Sequence, residues 1–182
     1  YLPALEKNIK LFQDGTSAFD VPNIVTKPFF DTFVYLGGSG ATLAFLVVVL
    51  LVAKSAQLRG VSRLSIGPGA FNIIEPVIFG TPIILNPILF LPFIITPIVL
   101  VITSYTAISI GWVPKTVVMI PWATPPIISG YLVTGGHLSG AILQLFNFVI
   151  AMVIYYPFVV LCDRSVVRTE KAAQGNNNSV PM

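Results

Sequence analysis

Between Asp31 and Asp163 the chain carries one acidic residue, Glu75, set in Phe71-Asn72-Ile73-Ile74-Glu75-Pro76 with a long apolar stretch behind it. At membrane depth a charged side chain costs about 2.5 to 3.5 kcal/mol, so it persists where it faces a cavity, a partner or a polar ligand. A carboxylate there can accept hydrogen bonds from two hydroxyls or take a proton from one, at a pKa that burial would raise. The alternative is a Glu that caps a re-entrant backbone or pairs with Lys115 or His137. Asn72 and Asn86 bring amides that donate and accept, as a polyhydroxylated ligand needs, or that satisfy backbone freed by Pro76 and Pro87. Trp122, between Pro121 and Pro125, either stacks on the apolar face of a sugar ring or anchors the chain at a membrane interface.

Other residues offer less. His137 follows Gly135 and Gly136 at an expected helix start and reads as a surface or capping residue. Cys162 closes an apolar run and reads as a small buried residue; one cysteine excludes an internal disulfide. Gly38 and Gly40 fit neither a phosphate loop nor a dinucleotide fingerprint. No metal-ligand cluster is expected, no cofactor is implied, and no Ser/His/Asp pattern stands out.

The elements that must hold these groups are membrane elements. Hydrophobic residues make up 55% of the 182 and charged residues 9%, with mean hydropathy +0.88, against about 25% charged in soluble domains. The fold class expected is all-α: a polytopic membrane protein with about three transmembrane helices plus one or two re-entrant segments. Nucleic-acid binding is excluded as a reading of the net charge of +3. The basic residues gather at Lys54, Arg59, Arg63 and at Arg164, Arg168, Lys171, outside apolar runs, as on cytoplasmic flanks. Both clusters lying inside requires an even number of crossings between them.

Spans are expected at Phe33–Ala53, Leu91–Ile110 and Ser139–Leu161. Twenty-one charge-free residues in the first reach about 31 Å as a helix, enough for a hydrocarbon core of about 30 Å. Lys54 to Arg63 reads as a basic loop. Prolines at 76, 82, 87, 92 and 97 forbid one regular helix. Because irregular backbone survives at membrane depth only inside protein or beside water, residues 67 to 90 read as a re-entrant hairpin with Glu75 near its tip. The divisions expected are 1–32, an amphipathic or extended interfacial segment; 33–162, a membrane-embedded substrate-binding part; and 163–182, a cytoplasmic tail, disordered from Ala172 on. The chain opens on Tyr1-Leu2-Pro3 and is expected to be part of a longer protein.

Gly37-Gly38-Ser39-Gly40-Ala41-Thr42-Leu43, then Gly67-Pro68-Gly69-Ala70-Phe71-Asn72-Ile73-Ile74-Glu75-Pro76-Val77-Ile78-Phe79-Gly80, then Pro121-Trp122-Ala123-Thr124-Pro125-Pro126 resemble the membrane EIIC component of the bacterial phosphoenolpyruvate-dependent phosphotransferase system, in its lactose/cellobiose/diacetylchitobiose branch. The resemblance covers nearly the whole chain. It implies the C-terminal, substrate-binding part of a homodimeric permease in the bacterial cytoplasmic membrane, whose preceding half supplies most of the dimer interface and a sugar-site histidine. It assigns Glu75 to the sugar hydroxyl destined for phosphorylation, Trp122 to the pocket lining, Gly38 and Gly40 to a segment packed by the site, and Asn72 to the first Asn of an Asn-Ile-Asn-Glu-Pro pattern. The chain departs from that pattern at Ile74, which removes an amide beside the carboxylate.

The implied function is binding of a β-linked disaccharide and its presentation to the phosphocysteine of a phosphorylated EIIB partner, so the permease takes part in phosphorylation without supplying the phosphoryl group. An ion-coupled secondary transporter of a small polar solute is the alternative, since it too uses broken helices and a midplane carboxylate. A membrane-embedded hydrolase would need a paired carboxylate or a metal cluster.

Overall fold

The computed structural model describes residues 2–81, 83 and 86–177, with side chains to residue 172. The order is α1 (Leu2–Gln13), α2 (Lys27–Phe29), a π turn (Phe30–Val34), a 3-10 turn (Ser39–Ala41), then α3 (Thr42–Val52), α4 (Ala56–Ala70) and α5 (Glu75–Gly80). Then follow α6 (Pro87–Ser109), α7 (Ile128–Val133) and α8 (Leu138–Asn177). All regular elements among the described residues are helical, and three segments are long and apolar enough to cross a membrane: Lys27–Val52, Pro87–Ser109 and Leu138–Ala172. The expected fold class is the one found.

The long helix α8 organises the rest. It packs against α3, α6 and α7, and its side chains at 144, 147 and 155 are buried and polar. Three and eleven residues on from 144, these positions share one helix face. That face answers the interior's main problem, backbone groups with no water to bond them. Gln144 donates to the Thr32 carbonyl at 2.8 Å and accepts from the N–H groups of Ile127 at 2.7 Å and Gly130 at 2.9 Å. Asn147 donates to the Phe33 carbonyl at 2.9 Å and to Ser104 Oγ at 2.7 Å. The Tyr155 hydroxyl donates to the Gly40 carbonyl at 2.6 Å.

The first span is not one helix, which corrects the unbroken Phe33–Ala53 expectation. Gly37, Gly38 and Gly40 have φ of 74°, 99° and 75°, a region that glycine enters at little steric cost. A Cβ on Gly40 would overlap the Phe93 ring, so α6 approaches this break closely. α3 resumes beyond it as an apolar helix whose Thr42, Ala44, Phe45, Leu46, Val48 and Val49 are buried.

Lys54 to Arg63 is also corrected: most of it lies in α4, not in a loop. Ser55 caps that helix by accepting from Leu58 N–H at 3.2 Å, and Leu58, Ser62, Ser65 and Gly69 form its buried face. Asp163 Oδ1 accepts from the N–H groups of Lys54 at 2.9 Å and Ser55 at 2.8 Å; Glu170 accepts from Ser55 Oγ at 2.7 Å and Gln57 N–H at 3.0 Å. These contacts bring the α4 and α8 basic clusters to one side of the molecule, with α6 and α8 as the two long apolar helices between them in sequence.

α6 begins earlier than the expected Leu91 and contains Pro92 and Pro97. Asn86 caps it by accepting from Ile88 N–H at 3.0 Å. Its buried residues Leu89, Pro92, Thr96, Leu100, Ser104 and Ile108 follow helical spacing toward α8. Tertiary packing therefore overrides the prolines' cost. Between α4 and α5 the backbone turns at Asn72, which has φ 63°, and the two helices form a hairpin with Glu75 opening α5 just after its tip; of the residues 67 to 90 expected as a re-entrant hairpin, 82, 84 and 85 lie outside the described residues. Residues 172–177, expected to be disordered, extend α8; residues 178–182 lie outside the described residues.

Candidate functional site

Four irregular segments meet at one cavity of about 190 Å³, lined by Asp31, Tyr35, Gly38, Ser39, Asn72, Ile74 and Trp122. The π turn delivers Asp31, and Tyr35 follows directly after it. The glycine break delivers Gly38 and Ser39, the hairpin tip Asn72 and Ile74, and the Pro121–Pro126 loop Trp122. Asn72 Nδ2 donates to the Trp122 carbonyl and so ties tip to loop. Ile74 lies directly on Gly38, where any Cβ would overlap it; the glycine is needed there both for its positive φ and for this close approach.

The loop that carries Trp122 is held from behind. Gln144 binds the backbone at 127 and 130, and Gly130 and Gly140 come together so closely that a Cβ on Gly130 would lie 2.6 Å from the Gly140 carbonyl oxygen. Trp122 itself remains 57% exposed, an indole presented to the cavity rather than spent on the core. A space of about 10 Å³ lies behind it, lined among others by Asp31, Thr32, Asn72 and Ser129. Thr32 Oγ1 is buried without a partner. That volume matches about one water.

Of the residues singled out from sequence, Gly38, Asn72 and Trp122 line the cavity. Glu75 is exposed and next in sequence to Ile74 of the wall, without itself lining the cavity. Gly40 sits behind the site, its carbonyl held by Tyr155. Asn86 lies elsewhere: it caps α6 and donates to Cys162 Sγ at 3.3 Å. Cys162 is buried at that contact. His137 meets the Phe19 ring edge-on at 5.4 Å, and the Lys115 ammonium donates to the Phe19 carbonyl, so neither approaches Glu75 as a partner. Among the described residues no group of three or more His, Cys, Asp or Glu is placed to hold a metal.

Asp31 and Tyr35 do not stand out in the sequence, because Asp31 lies just before the charge-free stretch Phe33–Ala53 and Tyr35 reads as one more residue of that apolar span. The available signal was an acid and an aromatic four apart, just before the glycines. Chemically the cavity offers an indole face, an amide, a carboxylate and a phenol around an open space, the groups that bind a hydroxylated ring: apolar C–H faces on aromatics, hydroxyls on polar atoms.

Residues 1–97 match the family model described as "Phosphotransferase system, EIIC". The chain is 50% identical over 173 residues to a cellobiose-specific EIIC component of the PTS system from Geobacillus stearothermophilus, covering 94% of this chain and 38% of that protein. It is 47% identical over 168 residues to the lichenan permease IIC component of Bacillus subtilis strain 168, covering 92% and 36%. Among solved structures, the transporter ChbC, the IIC component from the N,N'-diacetylchitobiose-specific phosphotransferase system, superposes with TM-score 0.90 at 49% identity, covering 93% of this chain and 39% of that one. The chain thus spans under two fifths of the length of these relatives. With more than half of its residues inside the family model and its fold shared with a solved IIC transporter, the chain belongs to the phosphotransferase system EIIC family.

Proposed function

We propose that the chain is the sugar-binding part of a multi-pass permease in the bacterial cytoplasmic membrane, with residues 33–162 as the membrane-embedded portion between an interfacial segment, 1–32, and a cytoplasmic tail, 163–182. A β-linked disaccharide rests between the Asn72 tip and Trp122. A phosphorylated EIIB partner then phosphorylates it at the cytoplasmic face, so that transport is driven by trapping the product. The full protein works as a homodimer through residues outside this chain.

One observation carries the reading: Gly38, Asn72 and Trp122, far apart in sequence, converge on one cavity with aromatic and hydrogen-bonding walls. Relatives named for cellobiose, lichenan and oligo-β-mannoside support the substrate class. Glu75, beside Ile74 at the tip, orients the hydroxyl that will be phosphorylated and accepts its proton. Positioning of this kind costs little in the ground state and much in rate when lost.

The test is Glu75→Gln in the full-length protein, with disaccharide uptake and phosphorylation followed in cells that contain the partner components. The expected result is uptake reduced at least about 100-fold, in line with loss of a general base. Wild-type uptake would remove Glu75 from the mechanism, and uptake driven by an ion gradient without a phosphoryl donor would favour a secondary transporter.

A further inference from the structure

Six cations stand exposed at one end of the molecule: Lys54 at the joint between α3 and α4, Arg59 and Arg63 on α4, and Arg164, Arg168 and Lys171 on α8. None of them is ion-paired; among the described residues the ion pair is Lys27 with Asp31. The two carboxylates at this end are spent elsewhere. Asp163, 6% exposed, takes the N–H groups of Lys54 and Ser55, and Glu170 takes the Ser55 hydroxyl and the Gln57 N–H. These bonds use the acids as caps on the positive end of α4 and leave the side-chain cations uncompensated.

Helical spacing gives the charge a shape. Asp163 and Glu170 lie seven residues apart on the face of α8 that meets α4, while Arg164, Arg168 and Lys171, at intervals of four and three, share the face about 100° round from it. Because the acids tie α8 to the start of α4, the cations of the two helices are held at a fixed spacing, with Lys54 at the junction.

Membrane flanks are commonly basic, so the height of each charge decides what it can meet. α8 has 40 residues, about 60 Å of helix, against about 40 to 45 Å for a whole bilayer with its headgroups. Its charge-free stretch ends at Cys162, and Arg168 and Lys171 stand about 9 and 13 Å further along the axis. One headgroup layer is about 5 to 8 Å deep. Lys54 and Arg164 therefore sit at lipid level, whereas Arg168 and Lys171 reach past it into water, where an anionic protein face can meet them. From this patch α4 leads over 15 residues, about 22 Å, to the tip whose Asn72 and Ile74 line the cavity.

We propose that Lys54, Arg59, Arg164, Arg168 and Lys171 form the docking surface for the phosphorylated EIIB partner, met by carboxylates around its phosphocysteine. This rests on the reading of the chain as part of a phosphotransferase permease. The phosphoryl group adds about −1.5 to −2 charge to the partner's face at neutral pH, and a partner seated here stands at the foot of the helix whose other end forms the sugar cavity.

The experiment follows cellobiose phosphorylation by the full-length protein in nanodiscs, of zwitterionic lipid or with added phosphatidylglycerol, while the phosphorylated EIIB component is titrated at low and high salt. The variants are Arg168→Glu, Lys171→Glu and, as a control of equal charge change, Lys10→Glu. Arg168 and Lys171 are exposed beyond the span, so their replacement leaves the fold intact. Lys10 lies on α1, whose Asn8 donates to the Thr116 carbonyl at 3.1 Å past the end of α6, while the start of α6 meets Cys162. In both lipids the expected result is a KM for the partner raised at least about tenfold in each α8 variant, within the reach of electrostatic steering, and a flatter salt dependence. With these, kcat and cellobiose affinity change by less than about twofold, and Lys10→Glu behaves as the unmodified protein. An unchanged KM, an equal rise in Lys10→Glu, or a rise confined to nanodiscs with phosphatidylglycerol, where the charge serves the membrane, would overturn the docking surface and leave the permease reading standing. If the unmodified protein passes no phosphoryl group from the partner to cellobiose, the permease reading fails and the docking surface goes with it.

Discussion

The polar groups along α8 and those around the cavity are alike in chemistry and opposite in circumstance. Gln144 and Asn147 are buried to within 2% of full burial, and their amides each bond backbone that the folding chain left without partners. Asn72 and Trp122 touch each other at the groove but keep much of their surface open: Trp122 is 57% exposed. The first set is consumed in holding non-helical segments inside an apolar bundle. The second set is held in place by the first and left available. The difference shows how a membrane protein maintains a binding groove: one helix supplies the hydrogen bonds that irregular backbone lacks, and the segments so secured can present side chains to a ligand.

Substitutions sharpen this contrast by separating stability from binding. The largest effect on stability is expected at Asn147. Replacing it by Leu orphans the Phe33 carbonyl and removes a partner from Ser104 Oγ and Thr103 Oγ1. At about 1 to 3 kcal/mol per buried unsatisfied group, we expect a loss of about 3 kcal/mol, read as a lower thermal midpoint in detergent. An unshifted midpoint would mean that α8 does not secure the first span. Gly140→Ala comes next. Its new methyl meets the Gly130 carbonyl and Thr134, so overpacking should cost about 1 to 3 kcal/mol and displace the loop that bears Trp122. Full stability with unchanged sugar affinity would show that the close approach of these glycines is not what fixes the loop.

Much of this arrangement is legible in the sequence because breaks and lone polar groups stand out against an apolar background. Pro76 and Pro87 each stand in the first turn of a new helix, and Asn72 and Trp122 stand out by type; the glycines at 37, 38 and 40 signal close packing, but the break they make in the first span shows only in the fold. What stayed hidden depended on distant partners. α4 looks like a loop from its basic residues, since the capping carboxylates Asp163 and Glu170 lie 108 and 115 residues away from Ser55. α6 absorbs Pro92 and Pro97 through packing on α8 that no local propensity reveals. The π turn at Phe30–Val34, which aligns Phe30 with Tyr35, has no periodic signature, so Asp31 reads as a flanking residue and Tyr35 as part of an apolar span. Gln144 and Asn147 could have been noticed: two amides three residues apart inside an otherwise apolar span face one way and need something polar to bond.

The smallest expected effect on stability belongs to the exposed indole of the cavity wall, and it is also the most direct test of the account. Trp122→Ala in the full-length protein, with cellobiose affinity measured by calorimetry and the thermal midpoint recorded beside it, should leave the midpoint unmoved. Affinity should fall about tenfold, the scale of a lost aromatic stacking face. Cellobiose binding as tight as in the unmodified protein would contradict the claim that this groove is where the sugar rests.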